Sequence, residues 1–167
     1  QPGNWPLKVR TALGYGALTV QLGGLSGNLD GSGSFLQSLV DDALEASLQP
    51  AGSDRYHNFN YQTADGKRFW AEGPFYFHYA LQDVIPFWHT VRINDMLGYH
   101  PQFNAPDPFN HSRYTEPLHW LADLVTPEGR VPPLDDGNKG NMRFSSVMRW
   151  TGSYGNASVG QKYAWIS

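Results

Sequence analysis

Acidic, basic, phenolic and imidazole side chains are concentrated in one short stretch of the chain, residues 65–79, with the sequence DGKRFWAEGPFYFHY. Tyr76 and Tyr79 are spaced i, i+3, so they are neighbours on one face if this segment is helical. A positioned phenol can remove or deliver a proton, and a polar group opposite it can stabilise the charge that develops on a substrate. The stretch is therefore a candidate for proton-transfer chemistry. Core packing is the alternative interpretation of this aromatic pair.

Carboxylates offer a second type of chemistry. Glu72 stands just before the predicted helix, where a carboxylate accepts hydrogen bonds from backbone N–H groups and favours the positive end of the helix dipole. The alternative to this capping role is that Glu72 is the general acid of a glycosidase. Asp135 and Asp136 could supply a second carboxylate, although adjacent aspartates before a glycine are typical of turns.

Metal-ligand spacing is missing from the sequence. The chain has no cysteine, and its six histidines are not arranged in pairs such as His-x-x-x-His. These histidines are His57, His78, His89, His100, His111 and His119. We expect neither a metal site nor a cofactor.

Two helices are predicted in the first third of the chain. The first runs from Trp5 to Leu22, and its Gly14 and Gly16 would permit close approach to a neighbouring helix. Its predicted inward face consists of Val9, Leu13, Ala17 and Val20. The second begins at a capping box of Ser34 and Gln37. Its inward residues are predicted to be Leu36, Leu39, Val40, Ala43 and Leu44.

Further helices are predicted after a long aromatic loop over residues 51–71. Pro74 opens the third helix, which Pro86 should kink. Its apolar stripe comprises Phe77, Leu81, Val84, Ile85 and Trp88. The fourth begins at about Thr115, with Leu118, Leu121, Ala122 and Val125 inward, and a fifth lies around residues 144–150. No segment alternates as a strand does, so we predict an all-α fold of antiparallel helical hairpins joined by long aromatic loops.

The length and the charge of the chain argue against several classes of protein. The 167 residues fit a single domain, and 40% hydrophobic against 16% charged residues argues against charge-driven disorder. The net charge of −3, with no basic run, argues against nucleic acid or anionic lipid as a partner. No stretch approaches the roughly 20 apolar residues of a membrane helix, so no membrane insertion is expected. Because it starts at Gln1 without Met or signal sequence, we expect a processed or excised chain.

Three stretches of the chain carry a resemblance to a known family. They are Gly3-Asn4-Trp5, the pattern Asp65-Gly66 to Glu72-Gly73-Pro74-x-Tyr76-x-x-Tyr79, and residues 126–136, TPEGRVPPLDD. In this order they resemble the catalytic domain of heparinase II/III-like polysaccharide lyases. The resemblance implies that residues 1–167 are one domain and an internal piece of an (α/α) toroid. The toroid would be incomplete here, with its remaining helices and β-sandwich domains elsewhere in a larger multidomain chain, and the protein would be periplasmic or secreted.

The resemblance also implies β-elimination in a glycan that contains uronic acid. Tyr76 matches the first tyrosine of the family motif and is the first choice for the proton-transfer group, with Tyr79 second. Asn4 matches the asparagine that would neutralise the uronate carboxylate, although Gly3 stands where the family often has another polar residue. Tyr61 is a rival phenol. A further family histidine, normally contributed later in the chain, has no secure match here and is expected beyond Ser167.

Substrate binding is expected from residues beside these groups. Trp5 and Trp70 could stack on sugar faces, His57 and His78 could bind an acidic sugar, and Arg68 could bind its carboxylate. Glu72 completes the predicted binding set. The sequence leaves two alternatives open: a toroidal glycoside hydrolase that uses Glu72, and a carbohydrate-binding helical domain without catalysis.

Overall fold

The computed structural model describes residues 4–20, 32–48, 59, 63–70, 72–93, 107–126, 130–134 and 161. Within these ranges the chain forms the helices α1 (Asn4–Val20), α2 (Ser32–Leu48), α3 (Gly73–Ile93) and α4 (Ser112–Asp123), and no β-strand. The predicted all-α class is thus confirmed. The helix predicted at residues 144–150 lies outside the described residues. The antiparallel hairpin arrangement and the toroid stay predictions.

Helix α4 begins earlier than predicted, at Ser112 rather than at about Thr115. The cause is His111, whose Nδ1 accepts a hydrogen bond of 3.2 Å from the backbone N–H of Arg113. A histidine in this role is outside the usual set of capping residues, so the sequence pattern did not reveal it. As a result Pro117 lies in the second turn of the helix.

The buried face of α1 differs from the prediction. Ala17 is buried as expected, but Val9 is 38% exposed and Leu13 is 51% exposed, so the prediction that these two face the core is wrong. The buried face runs instead through Leu7, Thr11, Gly14 and Leu18. This face has the i, i+4, i+7, i+11 spacing of a helix, and it carries the smallest residue at its centre.

Gly14 explains why this face of α1 is the buried one. A Cβ added at Gly14 would overlap with the Cβ of Ala43 on α2 and would lie 3.3 Å from a ring carbon of Phe87 on α3. The absence of a side chain therefore lets α1 pack against both helices at one point. The expected close approach is confirmed at Gly14. At Gly16 it is wrong, because no atom of the residues that the structure describes lies within 4 Å of the corresponding Cβ position.

Helix α3 supplies the centre of the core. Its predicted apolar stripe is fully buried: Phe77, Leu81, Val84, Ile85 and Trp88 are each at most 1% exposed. The helix is continuous through Pro86, whose carbonyl accepts a hydrogen bond of 2.9 Å from the Thr90 hydroxyl. The kink predicted there stays a prediction.

Five buried rings form an aromatic cluster between α3, α4 and the segment before α3: Phe59, Trp70, Phe77, Trp88 and Tyr114. The Tyr114 hydroxyl donates a hydrogen bond to the carbonyl of Leu48, the last residue of α2. Burial raises the pKa of Tyr114 to about 12, so its phenol stays protonated and keeps donating. The cluster thereby ties α4 to the end of α2.

Helices α1 and α3 run in the same direction. Lys8 on α1 contacts Tyr79 and Asp83 on α3, whereas Gly14, further along α1, faces Phe87, further along α3. Because later residues of one helix meet later residues of the other, the first turns of both helices lie at the same end of the pair.

Candidate functional site

The two candidate tyrosines lie in the first two turns of α3. The helix begins at Gly73, whose φ of 82° is a conformation that other residues rarely adopt, and whose N–H donates to the Trp70 carbonyl at 3.2 Å. Tyr76 and Tyr79 are both half-buried. The Tyr76 ring packs edge-on against Phe75, with centroids 5.3 Å apart. The turn at Gly73 thus places both phenol-bearing residues at the front of the helix.

Lys8 is a functional candidate that sequence reasoning missed. Its Nζ lies 3.9 Å from the centroid of the Tyr79 ring and donates to the Tyr79 carbonyl at 3.2 Å. The same atom lies 2.5 Å from Oδ2 of Asp83, and both side chains of this ion pair are mostly buried. These contacts hold the ammonium group in place against the Tyr79 ring.

The parallel direction of α1 and α3 determines at which end of the helix pair Asn4 lies. Asn4 is the first residue of α1, one turn before Lys8, and Tyr76 on α3 lies nearly one turn before Tyr79 and nearly two turns before Asp83. Since α1 and α3 are parallel and Lys8 meets Tyr79, the backbone positions of Asn4 and Tyr76 fall at the same end of the pair. Trp5 follows Asn4 and is 63% exposed, which leaves its indole available to a ligand.

His78 lies between the two tyrosines in sequence but is buried, with 6% of its surface exposed. Burial lowers the pKa of His78 below its usual value of 6.5, and the positive charge of Lys8 lowers it further. The imidazole is therefore neutral near neutral pH. It can position neighbouring groups, but it offers no positive charge to an acidic sugar.

The depressed pKa of His78 predicts a pH effect on stability. Well above pH 6.5 the side chain is neutral in both folded and unfolded chains, and as the pH falls through 6.5 the unfolded chain takes up the proton first. The free energy of unfolding should therefore decrease on acidification, by at most about 1.4 kcal/mol per pH unit from this group. Urea unfolding at about pH 7.5 and about pH 5.5 should show a smaller decrease for His78→Gln than for the wild type. Equal decreases would refute this linkage.

Trp70 has a different place from the one predicted. It is 1% exposed, and its indole stacks on Phe77 with ring centroids 4.9 Å apart. An indole in this position has no face available to a sugar ring, so Trp70 serves the aromatic cluster. Glu72 is half-buried in the turn before α3. His57, Tyr61, Asp135 and Asp136 lie outside the described residues.

Arg68 lies on a second surface, formed with α4. Its Nε is 3.7 Å from Oε2 of Glu116, and its Nη1 donates to the Phe59 carbonyl at 3.4 Å. These partners compensate the guanidinium charge. Arg68 and Glu116 border a cavity of about 410 Å³ between the segment 63–69 and α4, called the α4 pocket below. Tyr76 and Tyr79 are not among the residues that line it.

The residues that the structure describes contain no group of three or more His, Cys, Asp or Glu side chains placed to hold a metal ion. They also contain no helix with the length and apolar character needed to cross a membrane.

The described part of the chain is thus an all-α protein with a candidate site in the first two turns of α3. Two half-buried tyrosines lie there, and one of them contacts the Lys8 ammonium group. Comparisons with protein-family models, with curated proteins and with solved structures find no match to this chain.

Proposed function

We propose that this chain is part of a polysaccharide lyase that cleaves a uronic-acid-containing glycan by β-elimination. The observation that carries the proposal is the parallel packing of α1 and α3 through Lys8. It brings the start of α1, with Asn4 and Trp5, to the same end as the phenol-bearing front of α3. Two tyrosines at this end of the helix pair can supply proton transfer, and residue 4, whose backbone lies at the same end, is of a type that can stabilise negative charge.

The proposed roles follow from the steps of β-elimination. Asn4 donates hydrogen bonds to the uronate carboxylate and stabilises the negative charge that develops when C5 loses its proton. Tyr76, as phenolate, takes the C5 proton while the C4–O4 bond breaks and a C4–C5 double bond forms. The phenol then gives this proton to the departing O4, which restores Tyr76 to its starting state. Tyr79 is the second choice for this role. No cofactor or metal is needed to balance the reaction.

Lys8 contributes a positioning role. Its ammonium group is fixed beside Tyr79 and Asp83, one helical turn along α1 from Asn4. Because the Asp83 carboxylate at 2.5 Å compensates its charge, Lys8 holds the Tyr79 ring and α1 in place rather than attracting the uronate or acting on the reacting atoms.

Other predicted residues support binding. Trp5, which is exposed, provides a surface for stacking on a sugar ring. His78 acts as a neutral positioning group, and Glu72 and His57 remain in the proposed binding set. Trp70 does not, because it is buried.

The proposed setting is an (α/α) toroid. In a chain of antiparallel hairpins every second helix runs in the same direction, and the parallel α1 and α3 agree with this alternation. We propose that the chain is one piece of such a toroid, completed by further helices and β-sandwich domains of a larger protein. Its substrate would be an acidic polysaccharide or oligosaccharide, and its location periplasmic or secreted.

Product analysis tests the proposed reaction. The protein is incubated with a panel of acidic polysaccharides, and ultraviolet absorbance and new reducing ends are measured together. A lyase produces both signals, since each cleavage leaves a conjugated double bond on one product and a new reducing end on the other. New reducing ends without absorbance would instead show a glycoside hydrolase, with Glu72 as its acid. Saturable binding with neither signal would show a carbohydrate-binding domain. Either of these last two results would refute the lyase proposal.

A further inference from the structure

The α4 pocket is built by two elements that fix its walls. On α4 the side chains of Glu116, His119, Trp120 and Asp123 have the i, i+3, i+4, i+7 spacing of one helical face, and all four line the cavity. Opposite them, a tight turn reverses the chain, since the Gly66 N–H donates to the Thr63 carbonyl at 2.9 Å. Gly66 has a φ of 82°, which suits this turn. The reversal brings Arg68 and Phe69 back along α4.

Aromatic surface forms part of the pocket and is held in place. The Phe69 and Trp120 rings, which both line the cavity, have centroids 6.3 Å apart. Trp120 is also supported by Phe77 of the aromatic cluster, at 6.2 Å between centroids. The indole orientation is thus set by the core rather than by a ligand. A preformed aromatic wall in a cavity of about 410 Å³ is typical of small-molecule sites.

The polar groups of the pocket are of both kinds, donors and acceptors. Arg68 and Glu116 form an ion pair at 3.7 Å, and Asp65 and Lys67 form another at 3.3 Å. A hydrogen bond from Thr63, followed by one from Lys67, lowers the pKa of Asp65, so this carboxyl stays ionised. With Asp123 the lining holds three carboxylates against two cations, together with the imidazole of His119.

This mixture favours an uncharged ligand with many hydroxyl groups. Four of the five charged groups in the lining form two ion pairs with each other, so the pocket offers little net attraction to an anion or a cation. A neutral sugar ring does not depend on net charge, because its hydroxyls can donate to carboxylates and accept from the guanidinium and imidazole groups. Its apolar face can lie on an aromatic ring.

We infer that the α4 pocket is a binding site for a neutral sugar unit, with Trp120 and Phe69 as its aromatic wall and Glu116 as a hydrogen-bond acceptor for its hydroxyls. The site goes beyond the proposed lyase activity, because binding here needs neither Tyr76 nor Asn4. Within a glycan it would hold an uncharged residue, while the front of α3 would hold a uronate.

Titration of the 167-residue chain with simple glycosides tests this inference. The probes are methyl glycosides of glucose, galactose, mannose and N-acetylglucosamine, with methyl glucuronide as the charged counterpart, followed by ligand-observed NMR. None of the uncharged probes can undergo β-elimination, so the result does not depend on lyase activity. We expect at least one of them to bind with a dissociation constant of about 1–10 mM and more tightly than the glucuronide.

Three variants test whether the neutral glycoside binds in the α4 pocket. Glu116→Gln keeps the size of a half-exposed side chain and should weaken the neutral glycoside about tenfold, because a charged acceptor is lost. Trp120→Leu should abolish detectable binding, and circular dichroism confirms that the variant is folded. Glu45→Gln, the same change on α2, should leave the affinity as it is. The inference is overturned if no neutral glycoside binds at about 50 mM, if the glucuronide binds more tightly, or if folded Glu116→Gln and Trp120→Leu bind like the wild type.

Discussion

Replacing Tyr76 by phenylalanine is expected to lower the cleavage rate of an acidic glycan by about 10²–10⁴-fold, the usual contribution of a proton-transfer group. The change removes one hydroxyl and keeps the ring that packs edge-on against Phe75. Substrate affinity and thermal stability should therefore stay close to those of the wild type. Initial rates of ultraviolet-absorbing product, measured at saturating substrate, report the effect directly.

Two further tyrosine variants serve as comparisons for this result. Tyr15→Phe removes the same hydroxyl from an exposed residue on α1 and should leave the rate unchanged. Tyr79→Phe should retain more activity than Tyr76→Phe if Tyr76 is the proton-transfer group. Full activity in Tyr76→Phe, or a greater loss in Tyr79→Phe, would remove Tyr76 from that role.

The largest structural effect is expected from Gly14→Ala. The added methyl group would overlap with the Cβ of Ala43 and would also crowd the ring of Phe87. Overpacking of this kind costs about 1–3 kcal/mol, which exceeds the roughly 0.5–1 kcal/mol that alanine gains over glycine within a helix. We therefore expect the free energy of unfolding to decrease by about 1–2 kcal/mol in urea titration.

Gly16→Ala is the matched control for this change. Within the described part of the chain no atom lies within 4 Å of its Cβ position, so the helix preference of alanine should act alone and stabilise the protein by about 0.5–1 kcal/mol. Ala43→Gly in the Gly14→Ala background removes the overlapping methyl group and should recover part of the loss. Equal effects of the alanine changes at the two glycines would contradict the close packing of α1 on α2.

Helix α3 could be predicted from sequence because its own residues decide its burial. It carries a complete apolar stripe, and all five predicted residues are in the core. The buried face of α1 could not be predicted in this way. Val9 and Leu13 are more apolar than Gly14, but the distance between α1 and α2 decides which face is covered, and a glycine permits the shortest distance.

In the candidate site, too, some features could be predicted from the sequence and others could not. The spacing of Tyr76 and Tyr79 placed them at the front of one helix, as found. Lys8 was missed because its partners are 71 positions or more away in the chain, and no local pattern connects them. A weak signal exists, since Asn4 and Lys8, like Tyr79 and Asp83, are spaced i, i+4. Trp70 shows the converse error: its position beside the motif suggested a ligand contact, whereas packing on Phe77 buries it.

Locating a bound uronate on the protein tests the central claim most directly. A crystal structure of Tyr76→Phe with an acidic oligosaccharide, which this variant should bind without cleaving, would show where the sugar lies. We expect one uronate unit across the first turns of α1 and α3, with its carboxylate near Asn4, its C5 near position 76 and a neighbouring ring against Trp5. An oligosaccharide bound away from these turns, with position 76 not facing it, would contradict the account.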